Sequence, residues 1–192
     1  VALLQFRSID PELEQQKAEV AARLAAAGEE AAAVLRQQPD DPEASRVLAL
    51  SLLGRQELDS LSALPEGVVS IGAALERAVE LNPADVQLAV RLGNIYREQP
   101  DLLEPAKKEL PAPERATLAD ALVDRAVAAQ TQSPEAYLAR SAYRRAFKLP
   151  GMKDDLARAL ELAPDNVAVR LSCGVAAQAR AAGEMESVVD RF

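Results

Sequence analysis

Apolar residues recur three and four positions apart along almost the whole chain, the spacing of one helix face, and period-two alternation is nearly absent. The runs are interrupted by proline flanked with Asp, Asn or Ser, residues that stop one helix and cap the next. Read this way, Asp10-Pro11-Glu12 opens a helix that reaches about residue 27, with Gly28 as its stop, and a short helix follows over 29–38. Pro42 begins another that reaches about Gly54. Further helices are predicted over 68–81, 84–98, 115–129, 134–149, 152–162 and 165–182. Residues 55–66 give no clear pattern. The stretch 99–115 holds Pro100, Pro105, Pro111 and Pro113 and reads as a loop or broken helix with exposed Lys107 and Lys108. The whole predicts about nine helices and a truncated tenth, joined by short loops that force antiparallel neighbours.

The pattern repeats. LERAVELNPADVQLAVRLG (75–93) and LARALELAPDNVAVRLSCG (156–174) share Leu-x-Arg-Ala-x-Glu-Leu-x-Pro at identical spacing, and Gly93 and Gly174 fall at the same offset. Residues 124–142 and 32–50 are weaker copies. The best-matched first helix reads Ala89-x2-Leu92-Gly93-x2-Tyr96, and its partner helix offers Ala119-x3-Val123, with Thr131 where a proline is expected. Ile71-x3-Leu75 leading to Pro83, and Met152-x3-Leu156 leading to Pro164, follow the same scheme. Arg170-x2-Cys173-Gly174-x2-Ala177 follows it more loosely. On these residues the chain resembles the tetratricopeptide repeat family, whose unit of about 34 residues is a helix pair with these motifs. It is most similar to the repeats of large bacterial members.

The resemblance implies an all-α fold, an α-solenoid of stacked antiparallel helix pairs. Units are expected at about 11–39, 40–83, 84–131, 132–164 and a truncated 165–192, in one array belonging to a longer chain. Pro39 to Pro83 spans 44 residues and Pro83 to Pro164 spans 81, more than one and two units. The surplus falls in 55–70 and 99–115. Small residues at Gly93, Ala142 and Gly174, and at Ala78, Ala126 and Ala159, are expected where helices touch, with Leu75, Leu81, Leu92 and Tyr96 filling the spaces between. An array cut within a repeat exposes an apolar face, which predicts self-association through its ends.

Composition fits this picture. Hydrophobic residues are 49% of the chain and aromatic residues 3%, so its apolar content is mostly Ala, Leu and Val, which suits close helix packing. The net charge of −8 disfavours a phosphate-backbone partner, so no nucleic acid is expected. No membrane-length apolar run and no secretory leader are visible, and a cytoplasmic location is expected, with a periplasmic one as the alternative. The single cysteine, Cys173, excludes an internal disulfide and reads as a small buried hydrophobe.

Candidate chemistry is sparse. The chain has no histidine, which removes Ser-His-Asp and Cys-His nucleophiles and histidine metal sites. No phosphate-binding glycine loop or dinucleotide fingerprint is present. The acid pairs Glu29-Glu30, Asp40-Asp41 and Asp154-Asp155 sit near predicted helix starts, where carboxylates favour the positive dipole end. No catalytic residue, cofactor or metal is therefore expected.

A docking surface is expected instead. By resemblance, the first helix of each pair lines a concave groove that takes a peptide or partner helix. Carried across, the groove positions are Gln87, Val90, Asn94 and Arg97, then Leu138 and Arg145, then Leu171 and Gln178. Asn94 matches the asparagine with which chaperone-binding members grip a terminal carboxylate. The accompanying residues are replaced by Val90, Leu138 and Leu171, so that clamp is rejected. Arg140, Arg144, Arg145 and Lys148 form a basic run read as a solvated face. The function expected is a non-enzymatic protein-interaction scaffold. The alternative is a regulatory or substrate-docking module of a larger enzyme such as a kinase, protease or signalling ATPase. A third reading has the 99–115 segment fold into the groove and occlude it.

Overall fold

The computed structural model describes residues 11–174, and among them every regular element is helical. The chain divides into two compact units. Unit 1 takes the N-terminal residues up to Asn82 together with 99–110, and unit 2 takes 83–98 and the chain from Pro111 onward. The boundary at Asn82-Pro83 coincides with the expected joint between repeats.

Unit 1 is built from α1 (Pro11–Gln37), α2 (Pro42–Glu57) and α3 (Ile71–Leu81). The stop predicted at Gly28 does not occur: α1 is one helix of 27 residues and Gly28 lies inside it. A Cβ built there would overlap Ser51 Oγ, so the glycine serves close approach of α1 to α2. The Glu29-Glu30 pair is consequently mid-helix and does not sit at a dipole end. Gly54 is likewise interior to α2, facing Leu24 across the same contact. Asp41 does cap α2, accepting from the Ala44 N–H at 2.7 Å. The unassigned stretch after α2 begins with a left-handed residue, Asp59 (φ 52°), which lets the Ser60 N–H return to the Arg55 carbonyl at 2.8 Å. Helix α3 begins at Ile71, later than expected, because Ser70 caps it through the Ala73 N–H at 3.0 Å. Leu48, Leu52, Leu75 and Val79 form the buried apolar interior of this unit, with Ala49 and Ala78 at its tightest points.

Residues 99–110 join unit 1 as a short 3-10 turn (Pro100–Leu102) and a one-turn helix, α5 (Pro105–Lys108). Leu103 is buried beneath Gly72 of α3, where a Cβ would come within 3.0 Å of the Leu102 carbonyl oxygen. Lys107 is not exposed as expected but half-buried and paired with Glu76, while Lys108 holds Asp101 at 2.6 Å.

Unit 2 contains α4 (Val86–Glu98), α6 (Ala112–Ala128), α7 (Pro134–Ala146), α8 (Met152–Leu162) and a further helix, α9, described over 167–174. Helix α4 packs on α6 and α7, α6 also meets α7, and α7 packs on α8. Val86, Ala89, Ala126, Val127 and Ala136 form one buried cluster at the junction of α4, α6 and α7. Of the alanines expected at helix contacts, Ala126 and Ala159 of this unit are almost wholly buried. No helix of the described residues is long and apolar enough to cross a membrane.

Candidate functional site

The first helices of unit 2 are placed in register by their caps. Asp85, Ser133 and Asn166 each accept from the backbone N–H three residues on, that of Leu88, Ala136 and Val169, at 3.0, 3.2 and 3.3 Å. A short polar side chain before each helix satisfies an otherwise orphaned donor and fixes where the helix starts. Counting from these caps, Val90, Leu138 and Leu171 are equivalent, as are Arg97 and Arg145. The position equivalent to Gly93 is Ser141, not Ala142. Ser141 is buried and Ala142 exposed, so the expected small contact residue was misplaced by one. Gly174, the third of that set, has nothing within 4 Å of a built Cβ and makes no close approach. Gly93 does: its Cβ would lie 3.2 Å from Tyr143 Cε2 and 3.4 Å from Val123 Cγ2.

The proposed groove residues divide by environment. Gln87 and Arg145 are exposed, Asn94 and Leu138 half-buried, and Leu171 is 64% exposed. Val90 is half-buried and packs against the α4/α6/α7 cluster. Gln178 lies outside the described residues. Arg97 departs most from a groove role, since it is held within the protein. Its Nη2 donates to Asp120 at 2.6 Å and its Nε to the Tyr143 hydroxyl at 2.7 Å. The guanidinium also lies 4.7 Å from the Phe147 ring centroid. Burial opposes its charge, but the hydrogen bonds to Asp120 and Tyr143 outweigh that and raise its pKa above the ordinary arginine value. Tyr143 donates in turn to Asp120 at 2.8 Å, and burial followed by this acceptor pushes the phenol well above its usual range.

A second network sits one turn further along α6, at Asp124, and uses the arginines that flank Tyr143 on α7. Asp155, 1% exposed, accepts from Arg140 Nε and Nη2 at 3.0 and 2.6 Å, and from Arg144 Nη1 at 3.0 Å. Asp124 accepts from the same two arginines at 2.9 and 3.0 Å. Burial opposes the Arg140 charge, and Asp155 and Asp124 more than restore it. Half of the expected basic face is therefore sequestered: Arg140 and Arg144 are internal to the network, and only Arg145 and Lys148 are exposed. Asp155 likewise does more than favour a helix dipole. Gly151 precedes α8 at φ 85°, a conformation an L side chain resists, and Arg144 passes over it.

Asp120, Tyr143, Asp124, Arg140 and Arg144 of the two networks line a cavity of about 150 Å³. The charges of the networks are balanced. Arg97, Arg140 and Arg144 face Asp120, Asp124 and Asp155, each acid already bound to a cation. The described residues contain no cluster of His, Cys, Asp or Glu able to hold a metal. The pairing was visible as a pattern that went unused: Asp120 and Asp124 are four apart on one helix, and Arg140 and Arg144 four apart on the next.

Comparison of the chain with protein-family models, with characterised proteins and with solved structures finds no match.

Proposed function

We propose that the chain is a non-enzymatic interaction scaffold of tetratricopeptide type, using the α4/α7 face of unit 2 to hold a peptide or partner helix. The observation that carries this reading is the direct packing of α4 on α7 with their caps in register. In a stacked repeat the first helices of successive pairs lie side by side, and their equivalent positions form rows across one face. Here one row holds Val90 and Leu138, with Gln87, Asn94 and Arg145 beside it. Mixed aliphatic and polar rows of this kind suit an amphipathic segment. The ion networks fit the same reading, because their charges are engaged in fixing α4, α6, α7 and α8 to one another.

The test compares wild type with a Gln87→Ala, Asn94→Ala, Arg145→Ala variant in affinity for a partner captured by the wild-type chain. Loss of about tenfold or more at unchanged melting temperature is expected. A partner that binds the variant as well as wild type places its site elsewhere. Turnover of any substrate that is abolished by a single groove substitution overturns the non-enzymatic reading.

A further inference from the structure

We infer that unit 1 carries a binding pocket for a small monocarboxylate with a short apolar tail, between α1 and α2. The cavity there measures about 300 Å³. Two polar atoms of its lining residues are buried without a hydrogen-bond partner in the protein, Ser51 Oγ and Arg55 Nε. Ser51 is 2% exposed. A buried polar group left unmatched is costly, more so when charged, so native proteins seldom keep two one helical turn apart without a use.

The arginines of unit 1 sharpen the point. Arg23, Arg46 and Arg77 each hold a carboxylate of the chain. Arg36 and Arg55 hold none among the described residues, and these are the two that line the cavity. In a chain of net charge −8, two uncommitted guanidiniums in one recess form a local anion trap.

The remaining lining selects the anion. Glu29 stands exposed at the same cavity and reduces its positive charge, which disfavours a phosphate dianion or a polyanion. Leu48, Leu52 and Pro65 supply an apolar wall. A carboxylate has two acceptor oxygens, which pair with the parallel N–H groups at the end of a guanidinium, and Arg55 and Arg36 each bring one to the cavity. Its aliphatic tail then covers the leucines. Gly28 keeps α1 and α2 in contact at one end of the cavity, since any side chain there would run into Ser51 Oγ.

The experiment is a titration of the full 192-residue chain with hexanoate, followed by amide chemical shifts. Hexan-1-ol, which keeps the tail and lacks the charge, is titrated in parallel. Saturable shifts on residues 28–36 and 48–55 with hexanoate are expected, with hexan-1-ol at least about tenfold weaker. Arg55→Met, which keeps the stem and removes the guanidinium, is expected to weaken hexanoate about tenfold, whereas Arg77→Met leaves it unchanged. Equal binding of acid and alcohol, or the absence of saturation, overturns the assignment without reference to any variant. So does a folded Arg55→Met chain that binds hexanoate like wild type.

Discussion

Arg140 of α7 grips Asp155 of α8 through two nitrogens, and that carboxylate is among the most deeply buried side chains of the described chain. A bidentate arginine and a second arginine at the other oxygen set the direction of both helices as well as their spacing. The pair thus takes the place that an apolar contact would fill between the helices of this hairpin.

Removing the acid leaves Arg140 and Arg144 to share Asp124 alone. Asp155→Ala is expected to cost about 3–5 kcal/mol. Arg158→Ala, on the same helix but at the surface, where its partners are Glu161 and Tyr137, is expected to change stability far less. Chemical denaturation of both variants at one salt concentration checks the contrast. A small loss at Asp155 would mean that the arginines find other partners.

Gly28 and Ser51 make a closed test of the continuous α1. Gly28→Ala adds a methyl where the Ser51 oxygen already lies, and about 1–3 kcal/mol of destabilisation is expected despite alanine's better helix propensity. Ser51→Ala alone removes an unmatched hydroxyl and is expected to be nearly neutral. The double variant should recover most of the loss. Additive effects in the thermodynamic cycle would refute the contact.

Tyr143 predicts an alkaline limit. Its folded pKa is raised by burial and by Asp120, so below the unfolded value of 10.0 both states hold the proton and pH has no effect through this group. Above it the unfolded chain releases the proton first, and stability falls by up to about 1.4 kcal/mol per pH unit. Tyr143→Phe should flatten that part of the slope between roughly pH 10 and 12, and over the same range it should leave the phenolate absorbance of the native chain unchanged. Ionisation of all tyrosines near pH 10 would contradict the buried hydrogen bond.

Gly93 is where α4 lies closest to its neighbours. Gly93→Leu is expected to destabilise the chain by about 1–3 kcal/mol or more through overpacking against Tyr143 and Val123. An unchanged melting temperature would remove the close approach. A leucine at Gly174, where a built Cβ meets nothing, should be tolerated.

Helix order and most boundaries were legible because prolines and capping residues speak locally: Asp41, Asp85 and Ser133 each do what their position before a helix implies. The two glycines of α1 and α2 misled because a glycine that ends a helix and one that admits a neighbour look alike in sequence. Ser141 was missed in favour of Ala142 for a related reason, since both are small and only the cap at Ser133 settles which faces inward. The candidate face was legible as rows of equivalent positions, but the engagement of Arg97 was not. Its partners Asp120 and Tyr143 lie 23 and 46 residues away, and pairing at such distance follows from helix packing and not from any local pattern.

The docking of residues 99–110 on α3 has a consequence for how the chain is made. Synthesis runs from the N-terminus, yet unit 1 lacks Leu103 over Gly72 and Lys107 beside Glu76 until residue 110 has been added. Helix α4 must therefore leave the ribosome before the first unit is complete, although it belongs to the second. A nascent chain arrested at residue 82 should remain open to protease, and one arrested well beyond 110 should not.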